Sequence, residues 1–174
     1  MSDLFERVTG DQDIFKKLAS HIPGFSGYVE RQNRRAADKL LRKTVADRFE
    51  DLWQRVSSIQ ADMTSQGMIA YVDDLEKAAM KLRTFIDKIR TASYGYSGFF
   101  DAVKINEKEL AQLYTFDAAF FDVAEQVGRA LDNVEASIGD EAGLPAAIRN
   151  LTTLARQATD TFKRRYEAIT ESSK

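Results

Sequence analysis

One carboxylate stands where the sequence pattern calls for an apolar side chain. Asp117 falls in the series Leu110, Leu113, Asp117, Phe120 and Ala124, whose steps of three and four residues place every member on one helix face. A buried carboxylate is costly unless it is paired, protonated or hydrated. Asp117 is therefore either a structural ion pair that fixes helix register or a carboxylate that serves a ligand or a reaction.

Other residue types suited to catalysis or metal binding are sparse. His21 is the single histidine and the chain has no cysteine, so neither thiolate sites nor a di-metal bundle with two Glu-x-x-His motifs is expected. Asp11 and Asp13 lack the glycine and the spacing of a calcium loop, and no glycine-rich phosphate-binding motif with its lysine occurs. We predict no catalytic residue, no metal site, no cofactor and no enzymatic activity.

Basic side chains concentrate in one segment. Residues 31–48 carry seven Lys and Arg against two Asp, whereas the whole chain has a net charge of -2. Such a segment is typical either of a surface that binds an anionic partner or of a solvated helix face. Together with nearby tyrosines it gives the predicted partner-binding set Tyr28, Arg31, Arg34, Arg35, Lys39, Arg42, Tyr94 and Tyr96.

Four long helices must position these residues. Apolar seams run through residues 45–63, 68–89, 110–138 and 144–162 with the steps of three and four that favour helix packing. The first long helix is expected from about Tyr28 to Gln66, and a tight turn at Gly67 is favoured over a continuous helix. The third helix is expected to begin at Asn106, whose side chain would cap it.

Short connections between the seams favour antiparallel neighbours. The predicted fold is therefore all-α, an antiparallel up-down four-helix bundle with a short N-terminal helix. Residues 1–27 are assigned to that short helix and its corner, and residues 28–174 to the bundle, within a single domain. This topology gathers the basic segment at one end of the bundle, where Arg34, Arg35, Tyr94 and Tyr96 are the candidate partners of Asp117.

The sequence also bears on location. Its first residues lack the basic and apolar regions of a secretion signal, and no apolar stretch approaches the roughly 20 residues of a membrane span. We expect a soluble, cytoplasmic protein without a transmembrane segment.

Three functional hypotheses follow. The first is a non-enzymatic adaptor that docks a protein with an acidic surface through the basic, aromatic end of the bundle. The second is a peripheral binder of anionic lipid or nucleic acid through the same residues, and the third is a ligand-binding or enzymatic bundle centred on Asp117. Self-association stays open in each, because heptad seams can also be buried between chains.

Overall fold

The computed structural model describes residues 12–31, 34–92 and 107–171. These residues form helices and contain no strand, which confirms the predicted all-α class. The helices are α1 Gln12–His21, α2 Phe25–Glu30, α3 Arg34–Ser65, α4 Ile69–Thr91, α5 Glu107–Ala136 and α6 Gly143–Glu171. None of these helices is long and apolar enough to cross a membrane. Asn106, the predicted cap of the third helix, lies outside the described residues.

The first long helix begins later than the sequence predicts. Tyr28 lies in the short helix α2, which ends at Glu30, and α3 begins at Arg34. Phe25 is the buried side chain of α2, so no apolar face continues from α2 into the polar residues that precede α3. Packing of an apolar face provides most of a helix's stability, and a continuous helix through this segment would lack it.

The turn that ends α3 forms as predicted. Gly67 has a φ of 78°, in the left-handed region. The amide of Met68 donates to the carbonyl of Met63 at 2.8 Å, and the amide of Gly67 donates to that of Thr64 at 3.1 Å. This pair of hydrogen bonds satisfies the last carbonyls of the helix and is the Schellman arrangement, in which glycine is favoured.

The chain divides into two compact units, each built from separate parts of the long helices. The basic unit comprises Met1–Ala46, Lys88–Phe121 and Thr161–Lys174, and the acidic unit comprises Asp47–Asp87 and Asp122–Asp160. Counted along the sequence, the basic unit has 17 basic and 12 acidic side chains, whereas the acidic unit has 8 and 15. The boundary predicted after residue 27 stays a prediction.

Aromatic contacts fix the short helices in the basic unit. The ring of Phe25, fully buried, lies 5.9 Å from that of Phe15 and meets the ring of Tyr114 edge-on at 5.6 Å. His21 stacks on Phe121 with the ring centroids 4.5 Å apart. Aromatic rings therefore pack α1 and α2 against α5.

In the acidic unit, side-chain contacts define the direction of three helices. Phe49 of α3 meets Phe85 of α4 at 4.5 Å, and further along α3 the Gln60 side chain donates to Glu76 at 2.9 Å. Residue numbers rise on α3 as they fall on α4, so these segments are antiparallel. Against α5 the numbers rise together, because Gly128 lies beside Leu52 and Arg55 reaches the following turn of α5.

Substitution of two glycines by alanine should change the free energy of unfolding in opposite directions. A Cβ at Gly128, inside α5, would meet Leu52 Cδ2 at 3.8 Å, an ordinary contact, so Gly128→Ala should raise the free energy of unfolding by about 1 kcal/mol through helix propensity. Gly67→Ala should lower it by about 1 kcal/mol, because alanine is strained at a positive φ. Urea unfolding of both variants measures the difference, and the same sign for both would contradict this account.

Candidate functional site

Asp117 lies within a cluster of four charged side chains in the basic unit. Asp38 and Arg42 come from α3, Asp117 from α5 and Arg165 from α6, and all four are buried. Asp117 is 1% exposed and Arg165 is 2% exposed. Two guanidinium groups balance two carboxylates, so the charges of the cluster cancel, as burial of ions requires.

Arg165 joins the two aspartates. Its Nε donates to Asp117 Oδ1 at 2.6 Å, and its Nη2 donates to Asp117 Oδ2 at 3.3 Å and to Asp38 Oδ1 at 3.0 Å. Arg42 Nε donates to the other oxygen of Asp38, Oδ2, at 2.8 Å. Each oxygen of both carboxylates therefore accepts a hydrogen bond from an arginine. The planar guanidinium fork suits this geometry, which a lysine could not reproduce.

Helix spacing explains how the four residues meet. Asp38 and Arg42 are four residues apart on α3, on the same face as the buried Leu41 and Val45. Arg165 follows Phe162 by three residues, so it continues the apolar seam of α6 into the cluster. The charged residues thus occupy core positions, and their helices cannot pack here unless the charges are paired.

Burial raises the pKa of Asp117 to about 6, although the charge and the hydrogen bonds of Arg165 act in the opposite direction. The nearby Asp38 carboxylate adds to the rise, and Arg42 reduces it. One arginine is shared between two carboxylates, so its stabilisation of the ionised Asp117 is incomplete. Asp117 therefore takes up a proton at a higher pH than a solvated aspartate would.

Among the described residues, the partner of Asp117 is Arg165, which was not predicted. The sequence suggested Arg34, Arg35, Tyr94 and Tyr96, but Arg165 pairs with Asp117, and Arg35 is exposed. The side chains of Arg34, Tyr94 and Tyr96 lie outside the described residues. A signal for Arg165 was present, because it and Asp117 are both charged residues at seam positions.

Most of the exposed charged side chains that the structure describes in the basic unit are cationic. Among its described side chains, nine Lys and Arg are exposed against two Glu. The exposed cations are Lys16, Arg31, Arg35, Lys39, Lys43, Lys88, Arg90, Lys163 and Arg164, and the exposed acids are Glu30 and Glu167. Its two buried aspartates are used within the core, so they do not offset this surface charge.

The predicted partner-binding residues fall into different environments. Arg35 and Lys39 are exposed on α3, and Lys43, which was not predicted, is exposed one turn further along. We call these three residues the cationic stripe. Arg31 lies 5.1 Å from the centroid of the Tyr28 ring at the end of α2. Arg42 is buried and paired with Asp38, so a partner cannot reach it on the surface.

An open groove of about 360 Å³ lies between α3 and α5 in the acidic unit. Arg55 donates to the Gly128 carbonyl and to the Asp132 and Glu135 carboxylates, and Arg129 donates to Glu125. The charges of Arg55 and Arg129 are therefore paired across the groove and along α5.

Comparison of the chain with protein-family models, curated proteins and solved structures finds no match. Within the described residues, no group of three or more His, Asp or Glu side chains is placed to hold a metal ion.

Removal of Arg165 tests the structural role of the cluster. Arg165→Met leaves two buried carboxylates without their shared partner and should lower the free energy of unfolding by roughly 3–5 kcal/mol. Addition of Asp117→Leu removes one of those carboxylates and should recover most of the loss. Urea unfolding of the two single variants and the double variant gives the coupling energy. Additive losses would contradict a cluster that acts as a unit.

The pH dependence of stability tests the raised pKa of Asp117. Because the folded chain holds this proton to a higher pH, Asp117 contributes stability that is full below about pH 4 and is lost as the pH rises through about 6. Between about pH 5 and about pH 7, the free energy of unfolding of wild type should fall by about 1 kcal/mol relative to that of Asp117→Asn. Urea unfolding at both pH values measures this loss, with the exposed Asp62→Asn as the control for removal of one carboxylate. Parallel pH profiles for wild type and Asp117→Asn would contradict it.

Proposed function

We propose that this protein is a non-enzymatic interaction module that docks an acidic protein partner through the exposed cations of its basic unit. The observation that carries the proposal is the excess of nine exposed cations over two exposed acids among the described side chains of that unit. An unbalanced surface of this kind attracts an oppositely charged partner and speeds its encounter.

The cationic stripe is the best-defined part of this surface. Arg35, Lys39 and Lys43 follow one another every four residues, so they line one side of α3 over about 12 Å. Ala37 and Leu41 on the opposite side of α3 are 1% exposed. The back of the helix is therefore fixed in the core, and the three cations lie in a row on its exposed side.

The proposal includes the antiparallel up-down four-helix bundle as the scaffold. Within the acidic unit, the contacts of Phe49 with Phe85 and of Gln60 with Glu76 support antiparallel packing of α3 and α4. Such a bundle presents long, straight helix faces, which suit the docking of another helix. The proposed location is the cytoplasm, as expected from the sequence.

Two observations favour a protein partner over the other hypotheses. Tyr166 is exposed on α6, and tyrosine is enriched in protein interfaces. Among the described residues of the basic unit it is the one exposed large hydrophobic side chain, whereas peripheral lipid binding uses several. Both oxygens of Asp117 accept hydrogen bonds from Arg165, which supports a structural role for this carboxylate over a catalytic one.

Charge reversal of the stripe tests the proposal. Arg35→Glu with Lys39→Glu should weaken binding of an acidic protein about tenfold or more, because each reversal replaces an attraction with a repulsion. The measurement is capture from cells of the source organism with wild type and variant as baits, followed by affinity determination for each acidic protein recovered.

Reversal of Arg149 and Arg156, two exposed cations on the acidic-unit part of α6, is the matched control, because it changes the net charge equally. The expected result is a set of acidic proteins held by wild type and control and lost from the stripe variant. Identical sets for all three baits would overturn the proposal. Binding instead to phosphatidylserine vesicles or to an oligonucleotide would favour the second hypothesis.

A further inference from the structure

The acidic unit exposes an unusual helix face on α4. Ile69, Asp73, Glu76 and Met80 are spaced by three and four residues, so they lie along one side of the helix. Ile69 is 65% exposed and Met80 is 62% exposed, and both carboxylates are exposed as well. We call these four residues the acidic face. Large apolar side chains flanked by charges are typical of a docking surface.

The charge around this face is the opposite of that around the stripe. In the acidic unit, all of whose side chains are described, thirteen Asp and Glu are exposed against six Lys and Arg. On the face itself, Glu76 accepts a hydrogen bond from Gln60 at 2.9 Å, so its carboxylate is held in place. The chain thus carries two surfaces that are complementary in charge.

We propose that the partner of the cationic stripe is the acidic face of a second copy of this chain. The inference rests on the proposed function and names its partner. The stripe spans about 12 Å and the acidic face about 16 Å along their helices, so the two rows of side chains are comparable in length. The aliphatic stems of Arg35, Lys39 and Lys43 can cover Ile69 and Met80 while their charged ends meet Asp73 and Glu76.

Two-fold symmetry doubles this contact. When the stripe of one copy meets the acidic face of its partner, the symmetry operation brings the partner's stripe to the first copy's acidic face. In the proposed dimer both complementary contacts form at once, which distinguishes it from a head-to-tail chain of copies. A second copy is also an acidic partner that is present wherever the chain is made.

Paired charge reversals test the proposal in a way that a folding defect cannot imitate. Variant one carries Arg35→Glu and Lys39→Glu, and variant two carries Asp73→Lys and Glu76→Lys. Each alone brings like charges together at both contacts, so the dimer dissociation constant should rise about tenfold or more. In an equimolar mixture, the stripe of one variant meets the reversed face of the other, and both contacts become attractive again.

Sedimentation velocity over a range of concentrations measures the dimer of wild type, of each variant and of the mixture. The expected result is a wild-type dimer that weakens about tenfold from 50 to 300 mM salt, monomeric single variants and a restored dimer in the mixture. A wild-type monomer at every concentration and salt, a dimer unaffected by either variant, or a mixture that stays monomeric would overturn the inference.

The test separates this inference from the proposed function. A monomeric chain whose stripe variant still loses acidic proteins in the capture experiment would overturn the dimer and leave the adaptor function standing. A dimer restored by mixing, with no other acidic protein dependent on the stripe, would support the inference and limit the partner to the chain itself.

Discussion

Charge balance in the core is the constraint on which the rest of the basic unit depends. Three helices supply the cluster, and Arg165 can remain buried only if Asp117 and Asp38 both reach it. A register shift of one residue in any of these helices would turn a charge away from its partner. Apolar residues could pack as stably here, so the cluster contributes most to the choice of one register over its alternatives.

The same cluster also affects the surface charge of the basic unit. Asp38 and Asp117 are buried inside the unit, where they form ion pairs with Arg42 and Arg165. Among the described side chains of this unit, nine exposed cations then face two exposed acids, although the whole chain is slightly acidic. Net charge alone conceals this division, because the excess acids belong to the other unit.

Much of the fold could be predicted from the apolar seams, because their spacing of three and four residues is visible in a single sequence. The turn at Gly67 could be predicted as well. The burial of Asp117 was predictable from the same spacing. Its partner Arg165 was not predicted because the apolar seam of the last helix was followed only to Phe162, and Arg165 is the next seam position. Arg42 was misplaced because a charge run was interpreted as wholly exposed, although its four-residue spacing from Asp38 allows a buried pair. The end of α2 at Glu30 was missed because the polar sequence that follows was interpreted as part of one long helix, although it offers no apolar face to hold one.

The two proposals make partner binding and self-association mutually exclusive. An acidic protein that uses the cationic stripe has to displace the acidic face of the second copy, since one row of cations cannot meet both. The dimer would then hold the stripe covered until a partner with stronger complementary contacts competes for it. Because both interactions are electrostatic, salt would weaken them together, and their ratio would depend on the apolar contacts around Ile69 and Met80, which salt does not screen. The charges would therefore speed the encounter and fix the register of either complex, and the apolar contacts would decide which complex persists at higher salt.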